Sequence, residues 1–375
     1  MSVGFLAERP ILLAAGGTGG HLFPAEALAR ALAARGVAVE LMTDHRALRY
    51  GADFPARALH AVPSATPRDA SPAAKAAAAA QLSRGVLAAW RIMGRIRPAA
   101  VVGFGGYPTV PPVVAASIRG LPIVLHEQNA VMGKANRFVA NRATRIATGF
   151  PSLGKMPESV SAKATFTGNP VRPAVIAAAR TAMLTMTPDG VVSLLVTGGS
   201  QGARIMSDIV PAAVERLDAA TRQRLAIVQQ ARGEDETRVR DAYARLGIAA
   251  EIAPFFADLP ARIAAAHLVV ARAGASTVSE LAVIGRASVL VPFPHALDQD
   301  QAANAALMAK SGAAVVREQS LFTPDWLAGE LTRILNDPAE LLVRAGAARH
   351  DGRPDAAERL ADLVLAVAEG IAKGS

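Results

Sequence analysis

The chain has 375 residues, 51% of them hydrophobic and 19% charged, with no cysteine. That length suits two domains of ordinary size. The composition excludes a disordered chain, and the missing cysteine excludes a disulfide framework, a thiolate metal site and a cysteine nucleophile. The formal net charge of +9 favours a polyanionic partner, but aromatic residues are only 4% and no nucleic-acid motif is present, so nucleic acid is not the expected one.

The first apolar run, residues 11–15, is preceded by Glu8 and is too short for a signal segment, so it reads as a buried first strand. No apolar run reaches the roughly 18 residues that span a bilayer. Short apolar strands are expected at 11–15, 37–42, 99–104, 122–126 and 144–148, separated by helical periods over 23–34, 73–96, 109–119 and 132–141. Gly36 and Gly120 fall just past helix ends, where a left-handed residue is wanted. The alternation then restarts, with strands expected at 191–197, 225–229, 251–255, 267–271 and 287–291. Strands apolar along their whole length, alternating with helices, predict parallel sheets covered on both faces. Two domains are therefore expected, residues 1–170 and 171–354. The helical segment near 355–375 could pack back on the first. Ligands of such sheets bind beyond the strand C-termini, which predicts a cleft where the two domains face each other.

The polar motifs cluster at those strand ends. Gly16-Gly17-Thr18-Gly19-Gly20-His21 joins the first strand to the first helix, where backbone N–H groups and the helix dipole suit an anion. It lacks the register of the G-x-G-x-x-G dinucleotide fingerprint, although Asp44 stands where that fingerprint wants an acid. Gly198-Gly199-Ser200-Gln201-Gly202-Ala203-Arg204 repeats the strand–loop–helix design without the Gly-Lys-Ser/Thr ending of a Walker loop. Either loop also serves as a plain tight turn. Glu280 lies four residues after Ser276 on one helix face, where a carboxylate can accept both hydroxyls of a ribose. The same spacing serves an ordinary glutamate in a first helical turn. His126-Glu127-Gln128-Asn129, Asn169-Pro170-Val171-Arg172 and the amide-rich run Pro292 to Asn304 complete the set. Asp298-Gln299-Asp300 matches the D-x-D manganese signature only as a three-residue coincidence, and the seven histidines show no metal-binding pair, so no metal or other cofactor is expected.

Seven motifs in order from residue 16 to residue 305, namely GGTGGHLFPA, VVGFGGYPT, LHEQNAVMGKANR, TGNPVR, GGSQGAR, RAGASTVSE and PFPHALDQDQAANA, resemble the MurG family. Its members are UDP-N-acetylglucosamine–N-acetylmuramyl-(pentapeptide) pyrophosphoryl-undecaprenol N-acetylglucosamine transferases of peptidoglycan synthesis. The resemblance implies a GT-B fold, two Rossmann-like doubly wound parallel-sheet domains facing a central cleft. It implies UDP-GlcNAc as donor, with Ser200 and Arg172 on the diphosphate, Phe256 beside the uracil, Ala275, Ser276, Thr277, Val278, Ser279 and Glu280 along the nucleotide, and Gln301 on the sugar. Thr18, Gly19, Gly20 and Asn129 approach the donor from the first domain. The acceptor, undecaprenyl-diphosphate-MurNAc-pentapeptide, is expected near Gly16, Gly17, Tyr107 and Glu127. The sequence departs from the pattern at Asp300, where histidine is more usual.

The implied reaction is a single inverting displacement, with UDP leaving from an oxocarbenium-like transition state. His21 is the candidate general base, since imidazole titrates near pH 6.5 when unperturbed. Glu127 is the other candidate, and spacing does not separate them. A lipid acceptor demands a peripheral enzyme at the cytoplasmic face of the inner membrane. Residues 71–97 mix Leu82, Val86, Leu87, Trp90 and Met93 with Lys75, Arg84, Arg91, Arg95 and Arg97, as a contact with anionic lipid would. The same pattern fits a core-facing helix with a solvated basic face. Other readings are a different GT-B transferase with a lipid acceptor, and a dinucleotide-binding oxidoreductase.

Overall fold

The computed structural model describes residues 9–16, 19–44, 54–65, 71–181, 187 and 190–370. The chain divides into two compact units, Met1–Arg172 together with Pro354–Ser375, and Pro173–Arg353.

Unit 1 runs β1 (Ile11–Ala14), α1 (Gly19–Ala34), β2 (Val39–Thr43), β3 (Ala58–Ala61), α2 (Pro72–Ile96), β4 (Ala100–Gly103), α3 (Val110–Ile118), β5 (Ile123–Glu127), α4 (Lys134–Val139), β6 (Arg145–Thr148) and β7 (Ala164–Phe166). The seven strands form one parallel sheet in the order β3-β2-β1-β4-β5-β6-β7, with Ile11 opposite Val39 on one side and Ala100 on the other. Every residue of β1 is fully buried, as a strand covered on both faces requires.

Unit 2 runs α5 (Pro173–Ala179), β8 (Val192–Thr197), α6 (Arg204–Glu215), α7 (Ala219–Gln223), β9 (Leu225–Gln230), α8 (Gly233–Arg245), β10 (Ala250–Ala253) and α9 (Leu259–Ala264). It continues through β11 (Leu268–Ala271), α10 (Ala275–Ile284), β12 (Ala287–Leu290), α11 (Asp300–Lys310), β13 (Ala314–Val316), α12 (Pro324–Asn336) and α13 (Pro338–Asp351). Its parallel sheet has the order β10-β9-β8-β11-β12-β13. Counted from its own first strand, this is the 3-2-1-4-5-6 winding of the Rossmann fold. The winding reverses between β1 and β4 in unit 1 and between β8 and β11 in unit 2. Those two reversals mark where each sheet offers a ligand site beyond its strand ends.

The last helix, α14 (Ala356–Ala368), rejoins unit 1, where Leu360, Ala361, Val364 and Val367 enter the same core as Ile11, Leu13 and Leu28. The Arg35 guanidinium meets Asp362 at 2.6 Å. Three strands were not legible in the sequence: β3, β7 and β13. All three lie at sheet edges and are only partly buried, and their apolar stretches are too short to announce a strand. The helix expected over 132–141 is α4 alone, followed by a 3-10 turn at Ala140–Arg142.

Candidate active site

In unit 1 the sequence motifs converge around the β1–β4 reversal. Gly16 follows β1 so closely against its neighbours that a β-carbon there would lie 2.9 Å from Pro108 and 3.0 Å from the Thr43 hydroxyl. Gly17 and Thr18 lie outside the described residues. Gly19 and Gly20 open α1, and His21 is its third residue. The His21 ring packs on Gly106, with Nε2 3.2 Å from where a Gly106 β-carbon would stand. Tyr107 begins the next turn, half-buried. Arg172 is drawn to the same helix start, its guanidinium 4.4 Å from the Phe23 ring centroid. The ring it stacks on is two residues after His21 in α1, a neighbour that sequence distance does not suggest.

The end of β5 forms a closed network. Glu127 is only 2% exposed. Its Oε2 accepts from Gly133 N–H (3.0 Å) and the Asn136 amide (2.8 Å), and its Oε1 from Asn129 N–H (3.1 Å). The carboxylate thus fixes the start of α4 and holds Asn129. Burial pushes its pKa above the ordinary value while these donors pull it down. Asn136, which the sequence reading passed over, also donates to His126 O at 3.2 Å and faces Gly105. A chain of contacts therefore links His21, Gly106, Gly105, Asn136, Glu127 and Asn129.

His126 beside it is fully buried. Gln128 donates to its Nδ1 at 3.2 Å and to Phe104 O at 2.8 Å, so His126 Nε2 carries the hydrogen it gives to Gly168 O at 3.3 Å. Burial holds its pKa down at about 4, with the Gly168 carbonyl raising it and His21 lowering it further. Between pH 4 and 6.5 the unfolded chain takes up a proton that the native His126 refuses, so stability falls as pH falls through that window. Glu127 has the opposite sign: its raised pKa makes the native state lose stability as pH rises above the ordinary carboxylate range. We expect His126→Gln to reduce the stability lost by unit 1 between pH 7 and pH 5 by ~2 kcal/mol. Denaturant unfolding followed at Trp90, in a Trp326→Phe background, measures this; an unchanged pH dependence would refute it.

In unit 2 the loop between β8 and α6 is equally constrained. A β-carbon on Gly198 would stand 2.1 Å from Ala203 N, so only glycine fits. Ser200 sits exposed at the tip of this loop. Gln230, at the end of β9, bonds its entry at Thr197, Gly198 and Gly199, and the sequence offered only two amides closing an apolar strand as a signal. Ala275, Ser276, Thr277, Val278, Ser279 and Glu280 are the first six residues of α10. Glu280 is buried, and the buried Ser276 hydroxyl has no hydrogen-bond partner among the described residues. Phe256 is nearly covered, with the Arg262 guanidinium 4.2 Å from its ring centroid and held by Glu251 and Asp258 at 2.7 Å each.

Gln301 Oε1 accepts from Phe293 N–H at 3.0 Å, and Asn304 donates to Ala273 O at 3.1 Å, which ties α11 to the loops after β11 and β12. Asp298 and Gln299, two consecutive non-glycine residues, both have φ near +59°. Such conformations cost about 1–3 kcal/mol each and persist where the surroundings fix them. Arg272 is spent on structure: it donates to Val291 O, Pro292 O and Gln319, and burial with nearby Arg232 lowers its pKa to about 10.

Two Rossmann-wound sheets, each with a glycine loop and polar side chains at its winding reversal, are the architecture of the GT-B class. Residues 11–148 match the glycosyltransferase family 28 N-terminal domain and residues 193–360 the family 28 C-terminal domain, and the chain belongs to this family. A protein of Methylobacterium sp. (strain 4-46) is 57% identical over 97% of this chain and 98% of its own length. One of Nitrobacter hamburgensis is 54% identical over 96% and 97%. Both are named UDP-N-acetylglucosamine–N-acetylmuramyl-(pentapeptide) pyrophosphoryl-undecaprenol N-acetylglucosamine transferase. The crystal structure of Acinetobacter baumannii MurG is similar at a TM-score of 0.77 and 28% identity, covering 95% of this chain and 99% of that one.

Proposed function

We propose that this chain transfers N-acetylglucosamine from UDP-GlcNAc to the muramyl 4-hydroxyl of undecaprenyl-diphosphate-MurNAc-pentapeptide, the step that completes the lipid-linked disaccharide of peptidoglycan. The observation that carries the reading is 57% identity over nearly the whole of a transferase with that name.

The donor is assigned to unit 2. The Ser200 loop takes the diphosphate, the chain at Phe256 the uracil, residues Ala275 to Glu280 the nucleoside, and Gln301 the sugar. The unpartnered Ser276 hydroxyl supports this, because a buried polar group without a partner is costly until a ligand supplies one. The acceptor is assigned to unit 1, at Gly16, Gly17, Tyr107 and the β5 loop, and Thr18, Gly19, Gly20 and Asn129 are assigned to the donor. His21 takes the proton from the attacking hydroxyl as the C–O bond to the anomeric carbon forms. The bond to UDP breaks, and Arg172 and backbone N–H groups stabilise the charge growing on the diphosphate. Glu127 is better suited to holding Asn129 and α4 than to proton transfer, because both its oxygens already accept hydrogen bonds.

No helix among the described residues is long and apolar enough to cross a membrane. The acceptor's polyprenyl tail nevertheless stays in lipid, so we assign the enzyme to the cytoplasmic face of the inner membrane, docked through α2 on anionic headgroups. Ala78, Ala89 and Met93 form the buried side of α2, while Trp90 is 40% and Leu87 46% exposed. Ile118, at the end of α3, is 64% exposed, and Arg119 stacks on Trp90 with its guanidinium 4.1 Å from the ring centroid. Exposed apolar side chains among Arg84, Arg91 and Arg95 suit a lipid surface.

One assay tests both assignments. Labelled GlcNAc should pass from UDP-GlcNAc to a short-chain soluble analogue of the acceptor. Arg84→Glu with Arg91→Glu should keep that transfer and lose salt-sensitive binding to anionic vesicles. Absence of transfer refutes the function; equal vesicle binding by variant and wild type moves the docking surface away from α2.

A further inference from the structure

Gln230 closes β9 and is 5% exposed. Its amide uses its full hydrogen-bonding capacity. Oε1 accepts from the Thr197 hydroxyl and from Gly198 N–H, each at 3.0 Å. Nε2 donates to Gly199 O and to Pro254 O, again at 3.0 Å. A side-chain amide has two donor hydrogens and two acceptor lone pairs, so none is left over. Glutamate offers no donor for the two carbonyls, and asparagine is one methylene shorter.

The four partners belong to two different loops. Thr197, Gly198 and Gly199 lead into the Ser200 turn before α6, and Pro254 follows β10 two residues before Phe256. The C=O and N–H of one trans peptide unit point in opposite directions. With the Gly199 carbonyl turned toward Gln230, the Ser200 N–H of the same unit is turned away from it. Gly199 itself adopts φ +82°, a backbone setting that needs an external hold to stay fixed.

We infer that Gln230 is a positioning residue for the donor, fixing the diphosphate loop and the base-binding loop at one separation and presenting the Ser200 N–H outward. This rests on the assignment of UDP-GlcNAc to unit 2. Gln230 makes no contact with substrate in this role; it acts through the backbone of both loops.

The test uses the full-length enzyme and three ligands, UDP-GlcNAc, UDP and uridine. Gln230→Met keeps the volume and removes all four bonds. It should raise the donor KM and the Kd for UDP about tenfold, leave kcat at saturating donor within about threefold, and leave the acceptor KM unchanged. Uridine lacks the diphosphate, so its Kd should rise less, and the preference for UDP over uridine should shrink. A residue that only supports the fold would lower the melting temperature without this split. Where Gln230→Met does not fold, Gln230→Glu, which keeps the acceptor half, carries the same measurement. A folded variant that binds UDP within twofold of wild type overturns the inference. Wild-type enzyme that fails to bind UDP overturns instead the assignment of unit 2 on which the inference stands.

Discussion

His21→Ala should lower kcat by ~10²–10⁴, the usual range for a lost general base, while the donor KM changes by less than about threefold. Most of the residues assigned to the donor belong to unit 2, whereas His21 opens α1 of unit 1 and packs on Gly106 beside Tyr107. Its removal therefore takes away a group used as the hydroxyl attacks and leaves the unit 2 part of the donor assignment intact. The pH dependence adds a second reading. A base must be unprotonated to act, so wild-type kcat rises with pH through the histidine titration and then levels; the variant should lose that acidic limb. Glu127→Gln is the matched comparison. It turns one accepting oxygen into a donor facing Gly133 N–H and Asn136 or Asn129 N–H, so it disturbs the loop. We expect it to change kcat and acceptor KM together and to retain the acidic limb. Wild-type kcat in His21→Ala would transfer the role of base to Glu127.

The contrast between those residues shows what a sequence carries. Both stand in polar motifs at strand ends, and spacing treats them as equals. Burial separates them: Glu127 is enclosed by donors contributed by Asn129, Gly133 and Asn136, two to nine residues away, and no periodicity announces that closure. The central strands were legible because a strand covered on both faces must be apolar throughout, as β1, β4 and β11 are. The edge strands were not, since Ala58–Ala61 and Ala164–Phe166 have little to bury. The glycine loops were legible because close backbone approach leaves few residue choices, and Gly198 has none. Gln230 and Asn136 were passed over because their work is done by bonds to other segments, ten residues away for His126 and thirty-two for Gly198. Arg172 was expected at a phosphate from its motif, yet its stacking on Phe23 depends on the return of the chain to α1, which only the fold supplies.

Glu280→Ala should weaken UDP binding at least tenfold while the protein stays folded. The helix that carries Glu280 is fixed at both ends, by Gly274 at its start and by Gly285 at φ +74° at its close. Around the glutamate, Val278, Leu281, Ala282, Val283 and Ile284 are buried. The carboxylate is itself only 5% exposed, so its position is set by packing before any ligand arrives. If it accepts from the ribose hydroxyls, each charge-assisted hydrogen bond contributes about 1.5–3 kcal/mol. Losing one such bond already exceeds the ~1.4 kcal/mol that corresponds to tenfold in Kd. Calorimetry with UDP and with 2′-deoxy-UDP isolates the contact, because the two perturbations form a double-mutant cycle. Wild type should prefer UDP by tenfold or more, and Glu280→Ala should bind both nucleotides alike. If the variant still discriminates as wild type does, the ribose is held elsewhere.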